Sequence, residues 1–101
     1  MKIKELDIQI EVITHNEDIN PQDHIEDQES INTINKRLEL GDIWAWTCVE
    51  IKGVYKNILS ASDYLGACSY KSEDDFIKGA YYQDMVNNCI DQLNEQAKAL
   101  N

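Results

Sequence analysis

In residues 6–13, near the amino terminus, the apolar residues Leu6, Ile8, Ile10 and Val12 alternate with polar residues. A repeat of two residues predicts a β-strand with one buried face. β-Branched and aromatic residues dominate residues 43–55, which predicts a second strand. The first half of that segment is apolar on both faces, so we expect it at the centre of the sheet, covered on both sides.

The second half of this strand is more polar. Glu50 and Lys52 are expected to open one face to water, and Gly53 is a candidate bulge. Residues 57–63 are interpreted as a loop. Residues 64–70 are interpreted as a third strand that returns against the second one.

Three helices are predicted. The first covers residues 26–39, with Pro21 as an alternative start. Gly41 is the signal that ends it. A short one follows Ser72, which is a good N-cap residue. The longest covers residues 81–100, where apolar residues recur at steps of three and four: Val86, Ile90, Leu93, Ala97 and Leu100. We expect this stripe to pack on the sheet, and a helix-mediated dimer is the alternative.

The order of these elements predicts an α+β fold in one domain over residues 1–101. The expected architecture is a two-layer sandwich, in which a small, largely antiparallel sheet of about three strands packs against two main helices. The side chains expected to be largely buried are Leu6, Ile8, Ile10, Val49, Ile51, Ile90 and Leu93.

The net charge of the chain argues against two classes of binding partner, nucleic acids and membranes. The 101 residues carry 9 Lys and Arg against 19 Asp and Glu, a net charge of -10. Phosphate backbones and anionic lipids should repel such a chain. We therefore expect no direct nucleic-acid partner and no membrane partner.

Much of this negative charge lies in residues 17–29, which contain no Lys or Arg. The six acids are Glu17, Asp18, Asp23, Glu26, Asp27 and Glu29. If this segment were one helix, its carboxylates would recur about every 3 to 4 Å, close to the phosphate repeat of one DNA strand. The segment is either a solvated surface or a partner-binding surface that mimics nucleic acid and competes for a basic groove.

The aromatic residues are confined to the region after residue 43. Most are expected to fill the core beneath the long helix. Tyr81 and Tyr82, at the start of that helix, are expected to be partly exposed. Because Trp and Tyr often anchor interfaces, this pair is the candidate for apolar contact with a partner.

No pattern of catalytic residues is visible. The two histidines, His15 and His24, lie in or beside the acidic segment, and no nucleophile-elbow, zinc-protease, phosphate-loop or dinucleotide motif is present. The three cysteines, Cys48, Cys68 and Cys89, lack the close spacing of zinc ligands and are expected to be reduced, mostly buried thiols. We expect no enzyme activity, no metal and no cofactor.

The amino terminus lacks the apolar stretch of a secretion signal, and the longest apolar run is far too short to cross a membrane. A soluble cytoplasmic protein is the expectation. If the gene belongs to a phage, the compartment is the cytoplasm of the host cell.

Four segments carry a resemblance to known proteins. They are residues 41–46 (GDIWAW), 62–70 (SDYLGACSY), 72–76 (SEDDF) and 79–85 (GAYYQDM). Together they resemble small acidic accessory proteins of phages, prophages and mobile elements, a group that includes anti-CRISPR and anti-restriction inhibitors. The resemblance spans about 45 residues and implies a context rather than a set of catalytic residues.

The leading hypothesis is therefore a stoichiometric inhibitor of a host defence nuclease complex. Its partner would be a protein or ribonucleoprotein with a basic groove. The alternative is a structural or regulatory phage protein that self-associates through its C-terminal helix. A third is a small enzyme or ligand-binding domain with an irregular site. A monomer and a homodimer are both compatible with the sequence.

Overall fold

Within residues 2–100, the part of the chain that the computed structural model describes, three antiparallel strands form one sheet. These are β1 (Ile8–His15), β2 (Thr47–Tyr55) and β3 (Leu59–Cys68), in that spatial order. The same residues form the helices α1 (Pro21–His24), α2 (Gln28–Glu39), α3 (Glu73–Ile77) and α4 (Tyr82–Lys98). The predicted α+β class, with a small antiparallel sheet packed on helices, is confirmed.

Helix α4 covers one face of the sheet. Three residues of its predicted apolar stripe are buried against β2 and β3: Val86, Leu93 and Ala97. Ile90 is half-buried, and Leu100, which lies beyond the end of α4, is 63% exposed. The helix lies closest to the sheet at Gly53, where a Cβ atom would be 3.4 Å from Cys89 Cβ and 3.3 Å from Ile8 Cδ1. Gly53 therefore allows close packing, and the bulge predicted there is wrong. The irregularity of the ladder lies between Thr47 and Val49.

The amino-terminal segment differs from the sequence prediction. β1 begins at Ile8, and Leu6 lies in a 3-10 turn over Glu5–Asp7 with 97% of its surface exposed. The buried aliphatic side chain is instead that of Ile3, whose backbone N–H and C=O both bond to the Asn94 side chain on α4. Anchoring the chain at Ile3 forces the turn that leaves Leu6 in solvent.

The other expected core residues divide into two groups. Val49, Ile51 and Leu93 are fully buried, as predicted. Ile8, Ile10 and Ile90 are only half-buried. The strand β1 lies at the edge of the sheet, and α4 packs mainly on β2 and β3, so the apolar side chains of β1 are incompletely covered.

The loop predicted at residues 57–63 is wrong, because most of that segment belongs to β3. The turn is confined to residues 56–58, where Lys56 and Asn57 adopt φ of 51° and 57° and Ile58 N–H donates to Tyr55 O at 2.9 Å. Two consecutive left-handed residues are typical of tight hairpin turns. The polar residues that suggested a loop, Ser60 and Ser62, instead face away from α4.

The start of the predicted second strand is also different. Ile43–Ala45 forms a 3-10 turn, which Asp42 caps by accepting the Trp44 N–H. Ala45 and Trp46 are buried with Ile34 of α2 in a second, smaller cluster. Ala45 and Trp46 are thus enclosed beneath α2, whereas Trp44 packs against Phe76 in the main core. The molecule is correspondingly long, 53 × 23 × 21 Å.

Candidate interaction surface

The acidic segment, residues 17–29, does not form one helix. It contains the single turn α1, then extended backbone through Ile25 and Asp27, and then the first turn of α2. The buried ring of Pro21 anchors α1. Because the helix is interrupted, it cannot impose a regular spacing on the six carboxylates. The premise of a phosphate-like helical repeat is therefore wrong.

Glu17, the first acid of this segment, is half-buried and bonded to the backbone. Its Oε2 accepts the Ala67 N–H at 2.5 Å, and its Oε1 accepts the Ile19 N–H at 3.1 Å. These bonds, the one from Ala67 foremost, lower the pKa of the Glu17 carboxyl group. Ala67 itself adopts a φ of 52°, a conformation unusual for alanine. Glu17 thus holds the end of β3 in place.

Asp27 also has a local structural role. It is the N-cap of α2, where its carboxylate accepts the Glu29 N–H at 3.3 Å and the Ser30 hydroxyl at 2.6 Å. The bond from Ser30 is the main cause of the lowered pKa of Asp27. A cap of this kind stabilises the start of the helix.

The other four acids are exposed and carry no ion pair within residues 2–100: Asp18, Asp23, Glu26 and Glu29. No Lys or Arg occurs in the segment that contains them. Their charges are therefore not neutralised by a direct cationic neighbour. They form what we call the acidic face.

The two tyrosines at the start of α4 have different environments. Tyr81 is 53% exposed, whereas Tyr82 is half-buried against the core and makes an edge contact with Phe76 at 6.2 Å between ring centres. Burial raises the pKa of the Tyr82 hydroxyl. Only Tyr81 offers most of its ring to a partner.

Two clefts bring the acidic segment near Tyr81. A cleft of about 500 Å³ lies along α2 and is lined by Asp27 and Glu29. A second cleft of about 310 Å³ lies between His24 and Tyr81, across the end of β3. Asp27 and Glu29 thus line the first cleft and Tyr81 lines the second, and Ser69 is the residue that the two clefts share.

The basic residue in the larger cleft is already paired. Arg37 lines it, but its guanidinium donates to Asp42 Oδ2 at 2.8 Å and to Tyr70 O at 2.6 Å. These bonds attach α2 to the segment after β3. Within residues 2–100, Arg37 therefore forms its ion pair with Asp42 and not with Glu29, which lines the same cleft.

A polar network on the uncovered face of the sheet was missed by the sequence analysis. Glu50 is only 9% exposed, so the expectation that it opens to water is wrong. Its carboxylate accepts the Ser62 hydroxyl at 2.5 Å and the His15 Nε2–H at 2.7 Å. These bonds, led by that of Ser62, lower its pKa. The cross-strand pairing of these residues was hidden because Ser62 had been assigned to a loop.

This network is centred on the carboxylate of Glu50. Ser62 and His15 each bond to Glu50 rather than to one another. The cysteine thiols are free, and burial raises the pKa of Cys68 to about 11, which leaves it protonated at neutral pH. Among residues 2–100, no group of three His, Cys, Asp or Glu side chains is placed to hold a metal ion.

No helix in the described part of the chain is long and apolar enough to cross a membrane. Comparison of the chain with protein-family models, with curated proteins and with solved structures finds no match. The exposed acidic residues and the clefts beside them are therefore the features from which a function can be inferred.

Proposed function

We propose that this protein inhibits a host defence nuclease complex by binding to it stoichiometrically, without catalysing a reaction. The observation that carries the proposal is the acidic face: its four carboxylates are exposed and have no cationic partner within residues 2–100. The resemblance of residues 41–85 to phage and mobile-element accessory proteins points to the same class of function.

Electrostatics favours a basic partner. Carboxylates that are not neutralised within the molecule add to the field of a chain whose net charge is -10. Such a field accelerates encounter with a surface rich in Lys and Arg and repels nucleic acid. The nucleic-acid groove of a defence ribonucleoprotein has the required positive charge. Its occupation by acidic side chains would exclude the DNA or RNA substrate.

This form of mimicry depends on charge rather than on regular spacing. The break between α1 and α2 removes the helical repeat, but it leaves Asp18, Asp23, Glu26 and Glu29 exposed. Tyr81 would add apolar contact area at the edge of the same surface.

The test is a titration of a purified CRISPR effector ribonucleoprotein in a DNA-binding assay. The unmodified protein should block DNA binding, with saturation at a fixed ratio of inhibitor to complex. Asp23→Lys combined with Glu26→Lys should weaken inhibition by more than about tenfold, which corresponds to 1.4 kcal/mol. The matched control, called the Asp91 variant, combines Asp91→Lys with Glu95→Lys at two exposed acids on α4 and changes the net charge by the same amount.

Three further results bear on the proposal. The protein alone should not shift DNA or RNA in a gel at physiological salt, because its charge opposes phosphate binding. Equal inhibition by the Asp23/Glu26 variant and the Asp91 variant would show that the acidic face is not the contact. Inhibition that requires far less than one copy per complex would indicate catalysis and contradict a stoichiometric mechanism.

A further inference from the structure

The two edges of the sheet are protected differently. On β3, side chains of α4 reach over the edge: Gln92 donates to Ser62 O at 3.3 Å and Gln96 donates to Ser60 O at 2.9 Å. The end of β3 is further distorted by the left-handed Ala67. Covered carbonyls and local twist are common ways to prevent an edge strand from pairing with another chain.

The edge at β1 has no such protection. Its register with β2 is uninterrupted from Ile8 to His15, and the strand contains neither proline nor lysine. The carbonyl groups of Ser60 and Ser62 point away from β2. The residues opposite them in β2, Val54 and Lys52, therefore direct their backbone groups toward β1, where they bond to Gln9 and Glu11. The backbone groups of Ile8, Ile10, Val12 and Thr14 therefore point away from the sheet.

The side chains along this edge are incompletely covered as well. Ile8, Ile10 and Val12 lie on the α4 side of the sheet and are only half-buried. Leu6, two residues before the start of the strand, is 97% exposed. An open row of backbone donors and acceptors thus lies beside an apolar stripe, which is the surface that an added β-strand would cover.

We propose that this edge pairs with β1 of a second copy, in antiparallel orientation, to form a continuous six-stranded sheet. An antiparallel pair of identical strands is self-complementary about a two-fold axis. Centring the axis on Ile10 pairs the outward-bonding residues Ile8 and Val12 across the interface. On the other face it pairs Gln9 with Glu11 of the second copy.

Neighbouring registers are less favourable. A shift that centres the axis on Glu11 places two carboxylates directly opposite each other, which is destabilising. Centring the axis on Val12 replaces aliphatic pairs with contacts between Ile10 and Thr14. The pattern of apolar and charged residues in β1 therefore selects the register centred on Ile10.

The test is sedimentation equilibrium at protein concentrations up to about 100 μM, which detects micromolar dimers. We expect a mass that rises toward that of a dimer. Because each copy carries a net charge of -10, higher salt should strengthen association by screening repulsion. A monomeric mass at all concentrations and salt levels would overturn the proposal. It would do so even if the edge of β1 bound a strand of another protein instead.

Charge substitutions at Gln9 test the register. Gln9→Lys puts an ammonium group opposite Glu11 of the second copy and should tighten the dimer, whereas Gln9→Glu should weaken it. Two such pairs form in each dimer, so each change should alter the dissociation constant by about twofold to thirtyfold. Ser60→Lys and Ser60→Glu are the controls, because Ser60 is exposed on the same face at the protected edge. Equal effects at the two positions would overturn the β1 interface.

A backbone variant addresses the hydrogen bonds directly. Ile10→Pro removes an N–H that points outward and leaves the bonds to β2 in place, so far-UV circular dichroism should be retained while the dimer is lost. A folded Ile10→Pro protein that still dimerises would contradict pairing at this edge. If this variant fails to fold, the substitutions at Gln9 decide the question. None of these results depends on the proposed inhibitory function.

Discussion

The carboxyl group of Glu17 joins parts of the chain that are 50 residues apart, because it accepts the backbone N–H of Ala67. With Asp27, it belongs to the fold more than to the free acidic surface. Composition alone could not separate these two acids from the other four. Their roles depend on which N–H groups happen to lie nearby, and one of those is distant in sequence.

The role of Glu17 predicts a pH-dependent stability. Its pKa is lowered in the folded state, so its contribution is complete above its ordinary pKa of 4.5 and is lost as the pH falls through the folded-state value. Glu17→Gln should reduce the free energy of unfolding by about 1 kcal/mol at pH 7. Urea unfolding of both proteins at pH 7 and near pH 3 should show this difference shrinking in acid. A difference that grows in acid would contradict the assigned role.

The two neighbouring tyrosines should respond differently to truncation. Tyr82→Ala removes a half-buried ring and should cost about 2 kcal/mol of stability. Tyr81→Ala should leave stability within about 0.5 kcal/mol and instead increase the rate of dissociation from the target by about tenfold. Thermal unfolding and surface plasmon resonance would measure the two effects. Dissociation rates affected equally by both variants would argue against Tyr81 as the contact.

At the level of elements, the helices, the central strand and a third strand that returns against it were predictable from sequence, whereas the start of β3 at Leu59 and the short turn before it were not. Helix α4 carries a long apolar repeat, and Ser72 and the following acids marked the start of α3. The first half of β3 was not predicted because Ser60 and Ser62 are polar and because Lys56 is uncommon in a left-handed turn. Side chains that face the uncovered side of a sheet carry little hydrophobic signal.

The packing of α4 predicts a graded response along its apolar stripe. Leu93 is fully enclosed, so Leu93→Ala should cost about 2 to 5 kcal/mol. Ile90 is half-buried, and Ile90→Ala should cost nearer 1 kcal/mol. Urea denaturation of the two variants provides the comparison. The reverse order would mean that α4 is rotated relative to the sheet.

At the scale of the whole molecule, the sequence predicted the net charge and the class of fold but not the arrangement of the acidic segment. The clefts along α2 and at the end of β3 form because α2 packs on the 3-10 turn of Ile43–Ala45, away from the centre of the sheet. That placement depends on Trp46, whose indole N–H donates to Ile19 O at 2.7 Å. Such a long-range contact has no local sequence pattern.

In the proposed mechanism, the acidic face accelerates association with a basic groove on the partner. The most direct measurement is the association rate with a purified CRISPR effector complex at low and physiological salt, for the unmodified protein, Asp23→Lys and Asp91→Lys. We predict that the rate of the unmodified protein falls with added salt. Asp23→Lys should lower both the rate and its salt dependence more than Asp91→Lys does. Rates and salt dependences that are the same for the two variants would contradict the account.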